Sequence, residues 1–203
     1  MNREARKQLI REQIIQSLYD LLKEKRWDEL SSNDICKKAA ISKRTLYRYF
    51  QSQDDMYLEL VKRSFVALCS KMEIGISKGE TAVDKICNLG MAYLSFMQNC
   101  PIESSLIVGF DERKYIESNR KKVEEIGLIA NQFELIQVFH RLDLDPAIYD
   151  QHLAIFLWGH IQGVAQLINS KGAWLEHYYG MTIQKIIETQ VNLAKQVLLG
   201  VEQ

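Results

Sequence analysis

The chain has 203 residues, with 26 basic and 26 acidic side chains and a formal net charge of zero. Apolar residues make up 47% and charged residues 26%, a globular balance; 2 prolines and 10 glycines argue against strand-rich sandwiches, collagen and long linkers and favour helices. No run reaches the roughly 18 apolar residues of a membrane span, and the polar N-terminus lacks the apolar core of a secretory signal, so a cytoplasmic location is expected.

Helical periodicity runs through almost the whole chain. Over 4–25, Ile10, Ile14, Leu18 and Leu21 with Leu22 recur at helical spacing between charged residues, and Trp27 and Leu30 follow as apolar plugs. Ser31 with Asp34 reads as a capping box that opens a short helix. Ala40 and Ile41 form a turn, Ser42 caps a second short helix over 43–50, and Ser52 caps a long helix to about residue 73. Asp54 and Asp55 suit the positive end of that helix. Gly75, Ser77 and Gly79 then read as a loop.

Five further helical segments are expected. They cover 81–98, 101–109 with Pro101 in its first turn, 111–142, 146–170 stopped at Lys171 and Gly172, and 181–199 ending at Gly200. Cys36, Cys69, Cys87 and Cys100 form no C-x-x-C pair and read as reduced, mostly buried thiols. Only Cys36 has basic neighbours, Lys37 and Lys38, which on a helix point away from it, so a redox-sensing role has weak support.

Charge is uneven. Residues 1–63 carry 14 Lys and Arg against 10 Asp and Glu, whereas 64–203 carry 12 against 16. A basic front on an acidic carrier suits a polyanion-binding module, although solvated helix faces also produce such an excess. The pattern over 4–60 gives the basic residues a setting. Two short helices joined by a tight turn and braced by a longer one make a helix-turn-helix. Ile14, Leu18, Ile35, Ala39, Ile41, Leu46 and Phe50 face a shared core, which leaves Lys43, Arg44, Tyr47 and Arg48 outward. A helix fits the major groove of B-DNA. Arg44 can pair with guanine, Lys43 and Arg48 can neutralise phosphates, Thr45 offers a hydroxyl and a methyl, and Tyr47 and Tyr49 reach backbone oxygens. Helix starts at Ser31, Ser42 and Ser52 add amides that suit phosphate.

This stretch resembles the signature of the TetR/AcrR family of transcriptional regulators. Asp34, Ile35, Ala39, Ile41, Ser42, Thr45, Leu46, Tyr47, Phe50 and Ser52 stand at the spacing of its pattern, and the resemblance covers about 6–60. Cys36, Ala40, Gln53 and Arg26 depart from it, replacing a usual alanine, the turn glycine, a lysine and a frequent glycine. If position 40 needs a positive φ, alanine costs about 1 kcal/mol there.

The resemblance implies an all-α fold of about nine helices. A helix-turn-helix DNA-binding domain (1–53) would precede a larger effector-binding and dimerisation domain (54–203). It further implies a homodimer through the last two helices, a palindromic operator on double-stranded DNA, and a repressor released by a small-molecule effector. The effector pocket would lie between the helices beginning near Thr81, Asp111 and Pro146. Tyr93, Phe96, Phe133, Phe156 and Trp158 are its candidate apolar wall, with Asn131, Gln132 or His160 as polar contacts, although such aromatic stripes usually pack as plain core.

In the 146–170 helix, Tyr149, Leu153, Phe156, His160 and Val164 form one side and Ile155, Trp158, Gly159 and Gln162 another, so it must be covered all round, by a second subunit or within a monomer. Two functions stay open, a ligand-responsive regulator and a DNA-binding structural or protein-controlled regulator without a small-molecule ligand. The sequence holds no H-E-x-x-H, P-loop, dinucleotide-binding glycine motif or G-x-S-x-G, so neither an enzyme nor a cofactor or metal is expected.

Overall fold

The computed structural model describes residues 2–201, and all the regular structure among them is helical. Helix α1 (Arg3–Leu22) buries Ile14, Ile15, Leu18 and Leu21, the stripe that its apolar spacing dictates. A 3-10 turn (Trp27–Glu29) leads to α2 (Ser32–Lys38), whose capping box is made as expected. The Ser31 hydroxyl accepts from the Asp34 amide at 3.2 Å while the Asp34 carboxylate accepts from the Ser31 amide at 3.0 Å. Ser42 accepts from the Thr45 amide at 3.1 Å and starts α3 (Lys43–Tyr49). Ser52 accepts from the Asp55 amide at 3.0 Å and starts α4 (Gln53–Ser77).

Ile35, Ala39, Leu46 and Phe50 are buried together with Ile14 and Leu18, and Ile41 packs on them half-buried. This core does not close on the first three helices alone. It continues through Met56, Leu58, Leu60 and Val61 on α4 and takes in Leu106, Val123 and Ile126. A second core begins further along α4, at Leu68, Met72 and Ile76, and holds the rest of the chain. The long α4 therefore has buried residues in both.

The C-terminal helices differ from the sequence expectation in four places. First, α4 does not end before Gly75. A Cβ there would stand 2.7 Å from the Asn88 carbonyl oxygen and 2.9 Å from the Ala92 Cβ on α5 (Ala82–Asn99), so this glycine serves a close helix crossing. After α6 (Pro101–Val108), the stretch 111–142 is not one helix. It divides into a 3-10 turn (Glu112–Lys114), α7 (Ile116–Ala130), a second 3-10 turn (Asn131–Phe133) and α8 (Leu135–Arg141). The chain turns at Glu134 (φ −58°, ψ 135°) with no proline or glycine to mark it, and this division makes ten α-helices among the described residues instead of about nine.

Third, Pro146 opens a turn rather than a helix. The amides of Ile148 and Tyr149 bond to the Asp145 carbonyl, and Asp150 then caps α9 (Gln151–Tyr179) by accepting from the amides of His152 and Leu153, both at 2.9 Å. Fourth, α9 passes straight through Lys171 and Gly172. A Cβ on Gly172 would meet the Ile183 Cδ1 at 3.1 Å, so that glycine lies against the start of α10 (Ile183–Val201). The stop is Gly180, at φ 64°, the left-handed conformation that glycine adopts without penalty.

Candidate nucleic-acid interface and internal cavity

Position 40 does carry a positive φ, 52°, so Ala40 adopts the turn conformation that favours glycine. The turn sets α3 on the surface with Lys43, Arg44, Tyr47 and Arg48 exposed and Thr45 and Tyr49 half-buried. Leu46 and Phe50 anchor its other side.

Three polar clamps hold this helix still. Arg11 of α1 donates to the Tyr49 carbonyl at 3.2 Å and to Glu59 at 2.6 Å, and its guanidinium lies 4.4 Å from the centre of the Phe50 ring. Arg63 joins the same set, bonding both Glu12 and Glu59, and these guanidinium groups hold both carboxyls below the usual glutamate value against the opposing effect of burial. The Tyr47 hydroxyl donates to Ser32 Oγ at 3.0 Å, which ties α3 to the start of α2. Gln53 Nε2 bonds the Leu30 carbonyl at 2.7 Å, so the residue standing in place of the usual lysine serves the head's own fold.

The serine hydroxyls have other work. Ser31 Oγ is engaged with Asp34, and Ser42 Oγ lies 3.0 Å from Thr45 Oγ1 while accepting from the Thr45 amide. The four exposed side chains of α3 carry no such internal ion pair among the described residues, save that Arg48 lies 5.3 Å from the Tyr49 ring centre.

Residues 14–60 match the family model of bacterial regulatory proteins, tetR family. This stretch is thus similar to the tetR family. Its fold extends over the whole chain among solved structures. A TetR-like transcriptional regulator from Rhodococcus sp. RHA1 superposes with TM-score 0.64 at 18% identity, covering 98% of this chain and 99% of that one. A protein with unknown function from the same organism gives 0.72 at 17% identity, covering 92% and 94%. The regulator FadR from Bacillus subtilis, in complex with stearoyl-CoA, gives 0.60 at 18% identity, covering 90% and 96%. No curated protein matches the chain significantly. The chain thus has the fold of these proteins, with a helix-turn-helix at its N-terminus.

Behind the N-terminal head, a cavity of about 480 Å³ opens within the second core, walled by α4, α5, α9, α10 and the 131–135 bend. Tyr93, Asn131, Phe133, Trp158 and His160 line it, as do residues the sequence did not single out, among them Phe65, Cys69, Cys87 and Gln162. Phe96 and Phe156 do not. Phe96 is buried in the core one turn of α5 beyond Tyr93. Phe156 is 54% exposed because α9 turns Leu157, Val164 and Ile168 inward, which carries its neighbour to the outside. Gln132 is likewise absent from the wall.

Burial pushes the Cys87 thiol up to about 11 and also raises the Cys69 thiol, which lies 3.4 Å from the Ile129 carbonyl, so neither is a ready nucleophile. All four cysteines are free. Among the described residues, no cluster of three His, Cys, Asp or Glu side chains is placed to hold a metal, and no helix is long and apolar enough to cross a membrane.

A file of rings connects cavity and head. Phe65 in the cavity wall meets Phe110 (6.4 Å between centres), Phe110 stacks on Tyr115 (6.3 Å), Tyr115 lies against Tyr57 (5.3 Å), and Tyr57 against Trp27 (5.2 Å). Desolvation lifts the Tyr57 hydroxyl to about 12, in keeping with its place inside this file.

Proposed function

We propose that the protein is a homodimeric repressor that binds a palindromic operator through α3 and leaves it when a small molecule occupies the cavity. The observation that carries the reading is the exposed basic face of α3, held rigidly by Arg11, Ser32 and the shared core. In this reading 1–53 is the DNA-binding domain and 54–203 the effector and dimerisation domain. Arg44 reads a base edge, Lys43 and Arg48 meet phosphates, and Thr45, Tyr47, Tyr49 and the caps at Ser31 and Ser42 complete the contact surface.

A second copy suits the outer side of α9 and α10. Ile155, Phe156, Leu167 and Trp174 are about half exposed or more, and Leu193, Val197 and Leu199 continue the apolar strip on α10. A Cβ on Gly159 or Gly163 would meet nothing within 4 Å, which leaves room for another helix to approach. Such a strip is costly to leave in water and matches the self-complementary contact of a two-fold dimer. Two copies of α3 would then enter successive major grooves about 34–36 Å apart. The cavity falls in the usual volume range of ligand sites, roughly 300–1,000 Å³, and supports the ligand-responsive reading over control by a protein partner. A ligand acts if it favours a dimer whose heads no longer match that spacing, with α4 as the lever.

Selection from random duplexes tests the reading. The expected product is a near-palindrome, bound by a dimer with affinity that falls steeply as salt rises. Failure to enrich any sequence at low salt would overturn it.

A further inference from the structure

The chemistry of the cavity wall narrows what it can hold. Among the described residues of the wall there is no lysine or arginine, and the only carboxylate is Glu134, exposed at the rim. The nearby cations are engaged elsewhere. Lys195, whose charge reaches Cys87, pairs with Asp84 at 2.7 Å. Arg141 covers the Phe133 ring at 4.9 Å and reaches Glu73 at 3.4 Å.

The wall also reports on its own tolerance for negative charge. Cys69, Cys87 and Tyr93 are its groups that become anions by losing a proton, and burial is the leading influence on each, raising all three. A carboxylate brought in as a guest would meet the same desolvation, with no cation in the wall and only Lys195, already paired with Asp84, near it to offset the cost. Neutral polar contacts are available in its place. Tyr93 and Gln162 both line the wall, and the phenol and the amide can each donate and accept a hydrogen bond. The ring Nε2 of His160 lies 3.4 Å from the Gln190 carbonyl. Everything else around them is aliphatic, aromatic or sulfur-bearing apart from the polar residues at the mouth, Asn131 and Glu134.

We propose that the cavity selects an uncharged, mainly apolar ligand whose hydroxyl, carbonyl or ester group meets the Tyr93–Gln162 pair, and that it discriminates against carboxylates. The proposal rests on the reading of this cavity as the effector site.

Three probes with one common chain separate the possibilities: dodecanol, methyl dodecanoate and dodecanoate, each titrated into the full-length protein below its micelle concentration. Trp158 lines the cavity whereas Trp27 and Trp174 do not, so a fluorescence change lost in Trp158→Phe places the probe beside Trp158, and weakening by Ala194→Phe, which fills the cavity but not the outer pocket that Trp158 also borders, places it inside. Dodecanol and the ester are expected to bind about tenfold or more tighter than dodecanoate at neutral pH. Gln162→Arg, which brings a cation to the wall, should reverse that order. Dodecanoate binding the unaltered protein as tightly as the alcohol would overturn the preference while leaving the effector site standing. No binding of any of the three would instead remove the effector site itself, and the preference with it.

Discussion

Lys122 on α7 donates to both the carboxylate and the backbone carbonyl of Asp55, in the first turn of α4. Asp55 is itself the one buried charged residue among the described residues, and its other carboxylate oxygen accepts from the Gln51 amide at 2.8 Å. The contact therefore binds α7 to the corner where α3 passes into α4. The far end of α7 runs into Ala130 and Asn131 at the cavity.

Lys122→Met removes the cation and leaves a largely buried carboxylate with the Gln51 amide as its remaining donor. A loss of about 1–2 kcal/mol is expected, less than for a fully buried pair because Lys122 is partly exposed. Urea denaturation of the single variants and of the double variant with Asp55→Asn gives the coupling. A coupling near zero would mean that the ion pair contributes nothing in solution.

Ala40→Gly should stabilise the protein. Alanine at φ 52° carries a penalty of about 1–2 kcal/mol, of which the greater freedom of an unfolded glycine returns about half, leaving a gain of roughly 0.5–1 kcal/mol. A rise in the thermal midpoint with unchanged helicity is the expected result.

The helix-turn-helix was legible because its signals are local. A capping hydroxyl acts three residues ahead of itself, and the spacing of Ile35, Ala39, Ile41, Leu46 and Phe50 fixes which side of α3 is left for Lys43, Arg44, Tyr47 and Arg48. The cavity is different, since its wall is gathered from segments more than 100 residues apart, from Phe65 to Leu198. Helical spacing makes Phe156 and Trp158 equally good candidates; only the rotation of α9 against its neighbours decides between them. Gly75 and Gly172 misled for a related reason. Glycine has the same appearance in sequence whether it breaks a helix or admits a neighbour, and only the opposing Asn88 carbonyl or Ile183 side chain tells the two apart.

That distinction can be measured. Gly127, within α7, has nothing within 4 Å of an added Cβ, so Gly127→Ala should gain about 0.5–1 kcal/mol from helix propensity alone. Gly75→Ala gains the same propensity yet drives a methyl against a backbone carbonyl, which should cost about 1–3 kcal/mol and leave the variant destabilised. Chemical denaturation that moved both midpoints in the same direction would contradict the close crossing of α4 and α5.

Acid should weaken the tie between α5 and α10. Hydrogen bonding from Lys195, then from Thr81, lowers the Asp84 carboxyl from 3.8 to about 2. A carboxyl whose folded pKa is depressed stabilises the fold above its unfolded pKa and loses that contribution as pH falls through its folded value. The stability gap between the wild type and Asp84→Asn should thus hold steady at higher pH and close as pH drops from 3.8 towards about 2. Because the pair is exposed, the gap should be small and should shrink with added salt. A gap independent of pH would show that Lys195 does not hold Asp84 in solution.

Replacing single residues on α3 separates base reading from charge neutralisation. Arg44 is exposed and makes no ion pair among the described residues, so Arg44→Ala should leave folding untouched. If it reads a guanine, the loss is about 1–3 kcal/mol per half-site, and discrimination at that base pair is lost with it. Lys43→Ala should weaken all duplexes alike and reduce the dependence of binding on salt by about one counterion per half-site. Tyr47→Phe keeps the ring but deletes the bond to Ser32, so its effect separates anchoring of α3 from direct contact with DNA. Competition binding on the selected operator, across a salt series and with each base pair varied in turn, reads all three. Equal affinity of Arg44→Ala and the wild type for that operator would place the reading face elsewhere on the head.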